Sequence, residues 1–220
     1  MKNVWLWWSS GKDSAWSLHT LLQDPDVQVT SLVTSVNIVA ERVAMHATRR
    51  TLLEAQASAL GVPIRIMPLP WPCPNGAYEA EAAKVIAAAE AAGVTHMAFG
   101  DLFLEDIRAY REGLLADSSI VPIFPLWQQN TAALAREMID GGIAAYLTCV
   151  DPKQLDASFV GRKFDHALLE ALPDTVDPCG ENGEFHSFVY RSPDYAEPLA
   201  VSVGERVERD GFWFADIVAL

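Results

Sequence analysis

The sequence predicts an α/β protein: a parallel sheet with helices on both faces, followed by a smaller α+β region. Three observations point there. Apolar runs rich in β-branched residues alternate with helical periodicity up to about residue 150, the first of those runs empties into a small-residue turn that opens a helix, and from residue 151 closely spaced strands replace the alternation. We therefore expect a ligand-binding part over residues 1–150 and a small substrate-binding part over 151–220.

Taken in order, strands are predicted at 4–8, 27–38, 62–68, 96–100, 120–124 and 143–150, with helices at 14–23, 44–60, 78–92, 105–116 and 131–141 between them. The helix at 78–92 needs little beyond propensity, because it is largely alanine. Beyond it come a short helix at 164–172 and strands at 185–190, 199–207 and 211–218. Strand, helix and strand in alternation give parallel pairing, and such sheets bind ligands beyond the carboxyl ends of their strands.

The chain has 220 residues, half of them hydrophobic, enough for one good core and a small appended lobe. No apolar run approaches the ~20 residues that cross a bilayer, and the few apolar residues after Lys2 are too short for a signal-peptide core. A cytoplasmic protein without a membrane partner is expected. Cys73, Cys149 and Cys179 are odd in number, far apart and form no CxxC, so neither a disulfide framework nor a zinc site is indicated. A net charge of −13 leaves few cations for a phosphate-binding face, which argues against a nucleic-acid partner. Seven tryptophans leave room for an exposed aromatic patch that would serve a homo-oligomer.

The first strand runs directly into Ser9-Ser10-Gly11-Lys12-Asp13-Ser14. Little side-chain bulk lets backbone N–H groups approach an anion, Lys12 adds charge, and the unpaired N–H groups and dipole of the following helix point at the same spot. A Walker A loop needs Gly at the position of Leu6 and Ser or Thr at that of Asp13, so that motif is excluded. A strand-to-helix turn that is merely Ser- and Gly-rich is the competing reading. A second polar segment, Asp177-Pro178-Cys179-Gly180-Glu181-Asn182-Gly183-Glu184-Phe185-His186-Ser187, puts two carboxylates three residues apart among glycines, an amide and a histidine. It reads either as a ligand-binding loop or as a polar turn into a strand.

The first run resembles the SGGKDS loop of the PP-loop ATP pyrophosphatases (adenine nucleotide alpha hydrolase-like), enzymes that cleave ATP between its α and β phosphates. Ser10 departs from it, standing where that superfamily has Gly, a residue that adopts the needed backbone angles more easily. Together with GENGEFHS at 180–187, Gly100-Asp101, the stretch Asp106 to Glu112 and Pro125-Leu126-Trp127, it resembles the diphthine–ammonia ligase family over nearly the whole chain. That resemblance implies a Rossmann-like (HUP-type) sheet and an ATP-dependent amide ligase. Such an enzyme adenylates a carboxylate, releases pyrophosphate, and transfers ammonia or an amine with release of AMP. The acceptor is diphthine on elongation factor 2 or a small metabolite. The alternatives are a PP-loop enzyme modifying RNA and a non-catalytic ATP or AMP sensor.

Residue by residue, the resemblance implies that Ser9, Ser10, Gly11, Lys12, Asp13 and Ser14 surround the ATP phosphates, with His46, Gly100 and Asp101 close to the nucleotide and Asp13 a ligand of Mg²⁺. An ordinary helix-start histidine is the other reading of His46. Asp106, Arg108, Arg111, Gly180, Glu181, Asn182 and Glu184 would form the acceptor site, although a solvated helix face also accounts for the first three. Lys12, Glu184 and His186 are the candidate catalytic groups, the last two as proton carriers.

Overall fold

The computed structural model describes residues 1–43 and 45–220. Strand β1 (Lys2–Trp7) lies at the centre of the first sheet, parallel to both β2 (Val27–Asn37) and β5 (His96–Ala98). Outward from it, β2 pairs in parallel with β4 (Ile64–Leu69), and β5 with β6 (Val121–Ile123). Strand β1 is covered on both faces, as its continuous apolar run requires. Val4, Leu6 and Trp8 enter one core while Trp5 enters the other with Val33, Ile86, Met97 and Phe99, the alternation that a pleated strand imposes. Helices α1 (Lys12–Leu22), α2 (Arg50–Leu60), α3 (Asn75–Ala91), α4 (Glu105–Leu115) and α5 (Thr131–Asp140) fall close to their predicted places, with one exception.

The exception is the expected helix at 44–60, whose first residue lies outside the described residues. Helix α2 begins only at Arg50. Before it, β3 (Arg42–Val43) folds back antiparallel on β2, and Met45 and Ala47 take φ of 59° and 54°, which no right-handed helix accommodates. His46 therefore sits in a turn, not at a helix start.

Strand β7 (Ala144–Val150), predicted as the last strand of the parallel sheet, belongs instead to a second, antiparallel sheet. There it pairs with β8 (Lys163–Phe164), β9 (Phe185–Arg191) and β11 (Phe212–Ala219), and β11 carries β10 (Val201–Arg209) outside it. An apolar strand buried on both faces reads the same in either kind of sheet. Helix α6 (His166–Ala171) follows β8, capped by the Asp165 carboxylate. The largest core cluster draws on both sheets, joining Val4, Leu6 and Trp8 to Leu147, Phe185 and Val189 through Trp16, Leu18 and Met138. No helix among the described residues is long and apolar enough to cross a membrane.

Candidate functional site at the start of helix α1

The turn after β1 is held by the second sheet. The Val189 amide of β9 donates to the Ser10 carbonyl at 3.0 Å, and Lys12 N donates to Ser187 Oγ at 3.2 Å. Gln56, fully buried in α2, completes the clasp: its Nε2 donates to the carbonyls of Ser10 (3.1 Å) and Val189 (2.7 Å), and its Oε1 accepts from Trp8 Nε1. Ser10 takes φ 72°, the left-handed region expected of the glycine it replaces, and its Oγ pairs with Thr48 Oγ1 at 2.7 Å. Gln56, Thr48 and Ser187 were not singled out by the sequence. Ser187 lay inside a recognised run, but nothing local marks a buried glutamine in an amphipathic helix as a latch on a distant turn.

Helix α1 opens at Gly11 with no side-chain cap. Ser14 Oγ turns back to the Gly11 carbonyl at 2.9 Å, Ala15 N closes the first helical turn on the same carbonyl, and Ser9 Oγ meets Gly11 N at 3.3 Å and Ser14 Oγ at 3.2 Å. The backbone of Asp13 and Ser14 lies against Gly100, at a helix start whose first amides have no partner within the helix, the kind of place that accepts an anion. Close approach fixes the two glycines here. A Cβ on Gly11 would stand 2.9 Å from His46 Cε1, and one on Gly100 would stand 3.2 Å from the backbone of Asp13 and Ser14.

Lys12 does not face outward. Its ammonium is 2% exposed, bonds both Asp13 oxygens (3.0 and 2.9 Å) and the Cys179 carbonyl, and lies against the rings of Phe185 (5.3 Å) and Phe164 (5.6 Å). Burial pulls its pKa down, but Asp13, Cys179 and Glu181 outweigh that and hold it above the usual lysine range. Asp13 is correspondingly engaged by Lys12 through both oxygens. Among the described residues, no group of three or more His, Cys, Asp or Glu side chains is placed to hold a metal ion.

The loop from Asp177 to Glu184 closes over this pair. Gly180 takes φ 71°, and a Cβ there would stand 2.8 Å from the Phe185 carbonyl, so the turn admits no side chain. Asp177 Oδ2 accepts from the amides of Cys179 (3.2 Å) and Glu181 (3.0 Å). Glu181 Oε1 reaches across to Leu102 N at 2.7 Å, tying this loop to the one after β5. Burial first, then Asp13 and Asp101, push its carboxyl up to about 7, against the Leu102 hydrogen bond and Lys12. Glu184 is 2% exposed; its Oε1 accepts from Asp177 N (2.9 Å) and Asn182 Nδ2 (3.0 Å), while its Oε2 is buried without a hydrogen-bond partner among the described residues.

The His46 and His186 rings lie 4.6 Å apart, tilted by 41°, with His46 against Gly11, and His46 Nδ1–H donates to the Ser187 carbonyl at 3.1 Å. Burial, with Lys12 nearby, pushes His46 down to about 4, and burial together with His46 and Lys12 holds His186 well below the usual range. Both imidazoles are neutral at pH 7, which makes His186 a weak base.

The sequence candidates thus divide. Ser9 to Ser14, His46, Gly100, Glu181 and His186 gather around the start of α1. The α4 residues do not converge: Asp106 is exposed, Arg108 stacks on Trp127 (4.8 Å) and Phe124 (5.0 Å) and bonds Glu112, and Arg111 faces Asp101 (3.5 Å) and Tyr78 Oη (3.0 Å) from over the Trp7 and Phe99 rings.

Comparison with known proteins agrees with this layout. A family model for the diphthamide synthase N-terminal domain matches residues 1–117, and one for the diphthamide synthase C-terminal domain matches residues 130–218. The diphthine–ammonia ligase of Bos taurus is 25% identical over 191 residues, covering 84% of this chain and 69% of the bovine protein. Those of Homo sapiens and Rattus norvegicus are 30% and 28% identical over 123 residues, 53% of this chain and 46% of each relative, so the match spans about half the length of those two proteins. With one domain model seated on the parallel sheet and its α1 turn, and the other on the sheet that clasps that turn, the chain belongs to the diphthamide synthase family, that of the diphthine–ammonia ligases.

Proposed function

We propose that the protein is an ATP-dependent ligase that adenylates an acceptor carboxylate, releasing pyrophosphate, and then passes the acyl group to ammonia or an amine with release of AMP. The observation that carries this reading is the uncapped start of α1, with Gly11 and Gly100 packed too closely around it to admit a side chain, in a member of a family whose curated relatives are named diphthine–ammonia ligases. ATP supplies the activated phosphorus; the chain supplies position and a fixed electrostatic environment. In this reading the backbone amides of the turn hold phosphate, Ser9 and Ser14 orient the turn, and Lys12 holds it closed from behind. The buried Lys12–Asp13 pair leaves Asp13 poorly disposed to bind a metal, so Mg²⁺ would be held chiefly by phosphate oxygens and water. We assign no step to it.

Glu184 is the better of the two proton-carrier candidates, because its Oε2 is buried and unpartnered, whereas the neutral His186 serves with His46 as a wall behind Gly11. The acceptor we propose is diphthine borne on elongation factor 2, as in the relatives' name. The test is product analysis: AMP and pyrophosphate should form from ATP, Mg²⁺, ammonium and diphthine-bearing elongation factor, and Glu184→Gln should reduce turnover by about 10²-fold while sparing ATP affinity. ADP as the product, or tight ATP binding with no acceptor-dependent AMP, would reject the ligase reading.

A further inference from the structure

Helix α2 buries one stripe of its surface, Leu52, Leu53, Gln56 and Ala57, spaced as neighbours on a single helical face. Gln56 is the polar member of that stripe and is fully buried. An unpaired amide in such a place is strongly destabilising, and this one is paired throughout. Both Nε2 hydrogens go to carbonyl oxygens, Ser10 at 3.1 Å and Val189 at 2.7 Å, and Oε1 accepts the Trp8 indole N–H at 2.9 Å. Two acceptors facing one end of the amide and a donor facing the other leave it a single orientation.

The Ser10 carbonyl is thereby bonded twice, from Gln56 and from the Val189 amide at 3.0 Å, which uses both of its lone pairs. A carbonyl held in this way fixes more than itself. The Ser10–Gly11 peptide is trans, and a trans peptide is planar with its C=O and N–H pointing opposite ways. With the oxygen turned toward α2 and β9, the Gly11 N–H points away from both. There it meets Ser9 Oγ at 3.3 Å, too long for a good bond, and Ser9 Oγ lies 3.2 Å from Ser14 Oγ. A weakly engaged amide and two hydroxyls therefore gather where β1 passes into α1.

The second hold is on the Ser10 side chain. Ser10 is fully buried with φ 72°, and its Oγ pairs with Thr48 Oγ1 at 2.7 Å; Thr48 is buried too and is tied to β3, its carbonyl accepting from Val43 N at 2.9 Å. A residue with a Cβ leaves the left-handed region unless its surroundings keep it there. Leaving it would swing the next peptide, and the Gly11 N–H with it.

From this we infer that Gln56 and Thr48 are positioning residues of the phosphate turn: acting through the Ser10 carbonyl and hydroxyl rather than on the ligand, they hold the Ser10–Gly11 peptide in the orientation that offers the Gly11 N–H, beside the Ser9 and Ser14 hydroxyls, to a phosphate oxygen of ATP. The inference rests on the ligase reading of the α1 start and adds to it two residues from outside the turn.

The test is ATP affinity, by calorimetric titration, in variants that keep shape and remove one hold at a time. Gln56→Met fills a similar volume without a donor, and affinity should fall about tenfold. Thr48→Val keeps the β-branched shape and should cost about threefold. The rescue is Thr48→Val/Ser10→Gly, which removes both hydroxyls, leaves neither unpaired and places at φ 72° a residue that adopts it freely, so affinity should return to within about twofold of wild type. Residues that merely stabilise the fold would lower the urea midpoint and leave the ATP affinity of the folded protein where it was, and that result overturns the inference. So does a loss in Thr48→Val that Ser10→Gly does not recover. Should Gln56→Met fail to fold, Thr48→Val and its rescue decide alone. A wild type that binds no ATP rejects the reading of the α1 start, and this inference with it; wild-type binding with unaltered variants rejects the inference alone.

Discussion

The Lys12 ammonium joins three parts of the chain at a single atom: the first turn of α1 through Asp13, the 177–184 loop through the Cys179 carbonyl, and the second sheet through the Phe185 ring. Lys12→Met keeps most of the side chain's bulk but leaves the Asp13 carboxylate without its cation and the Cys179 carbonyl without its donor. Breaking one side of a buried pair costs about 3–5 kcal/mol, so we expect a loss of at least about 3 kcal/mol in urea unfolding, with no ATP present. A lysine acting only as a phosphate cation gives a different result, in which unfolding is unchanged and ATP affinity alone falls. Ser10 illustrates a balance at the same scale. Its left-handed backbone costs about 1–2 kcal/mol relative to glycine, and the buried Ser10–Thr48 hydroxyl bond offsets about 1 kcal/mol of that.

At the scale of elements, the 177–184 loop is a bridge whose far end is the Glu181 carboxylate on the Leu102 amide. Because that carboxyl is pushed up to about 7 in the folded protein, mainly by burial, the folded state keeps a proton that the unfolded chain has already lost between the ordinary carboxylate range and pH 7. The stability contributed by Glu181 is therefore present in acid and lost as pH rises through 7. Glu181→Gln mimics the protonated form and retains an oxygen for Leu102. Relative to wild type, the variant should gain about 2 kcal/mol of stability between pH 5 and pH 8, measured by urea unfolding at each pH; a pH-independent difference would sink the assignment. Elements whose signal is local were legible in the sequence: β1 from its apolar run, the α1 start from its small residues, α3 from its alanines. The start of α2 was not, because the 45–47 turn depends on a two-residue hairpin with β2 rather than on turn residues of its own. The separation of Arg108 from Arg111 was equally hidden, since i,i+3 spacing sets a helix face but not which of two aromatic clusters each guanidinium meets.

For the molecule as a whole, the decisive fact is that the two sheets do not have separate cores. Trp16, Leu18 and Met138 lie in one cluster with Trp8 of the first sheet and with Leu147 and Val189 of the second, and the carbonyl of Ser10 is bonded from β9 and from α2 at once. Strand β7 shows why the sequence suggested a cut near residue 150: its burial pattern suits a parallel sheet, and only the partners β9 and β11, far along the chain, reveal which sheet it completes. Unfolding the 177–189 segment would expose the Lys12–Asp13 pair and release the α1 turn, so neither part can lose its structure without costing the other its partners. We therefore expect one cooperative transition, with far-UV circular dichroism and tryptophan fluorescence giving the same midpoint in urea. Two separated transitions would mean that the two sheets are independent units, and that the contacts from β9 to the α1 turn are too weak to couple that turn to the loop that closes over it.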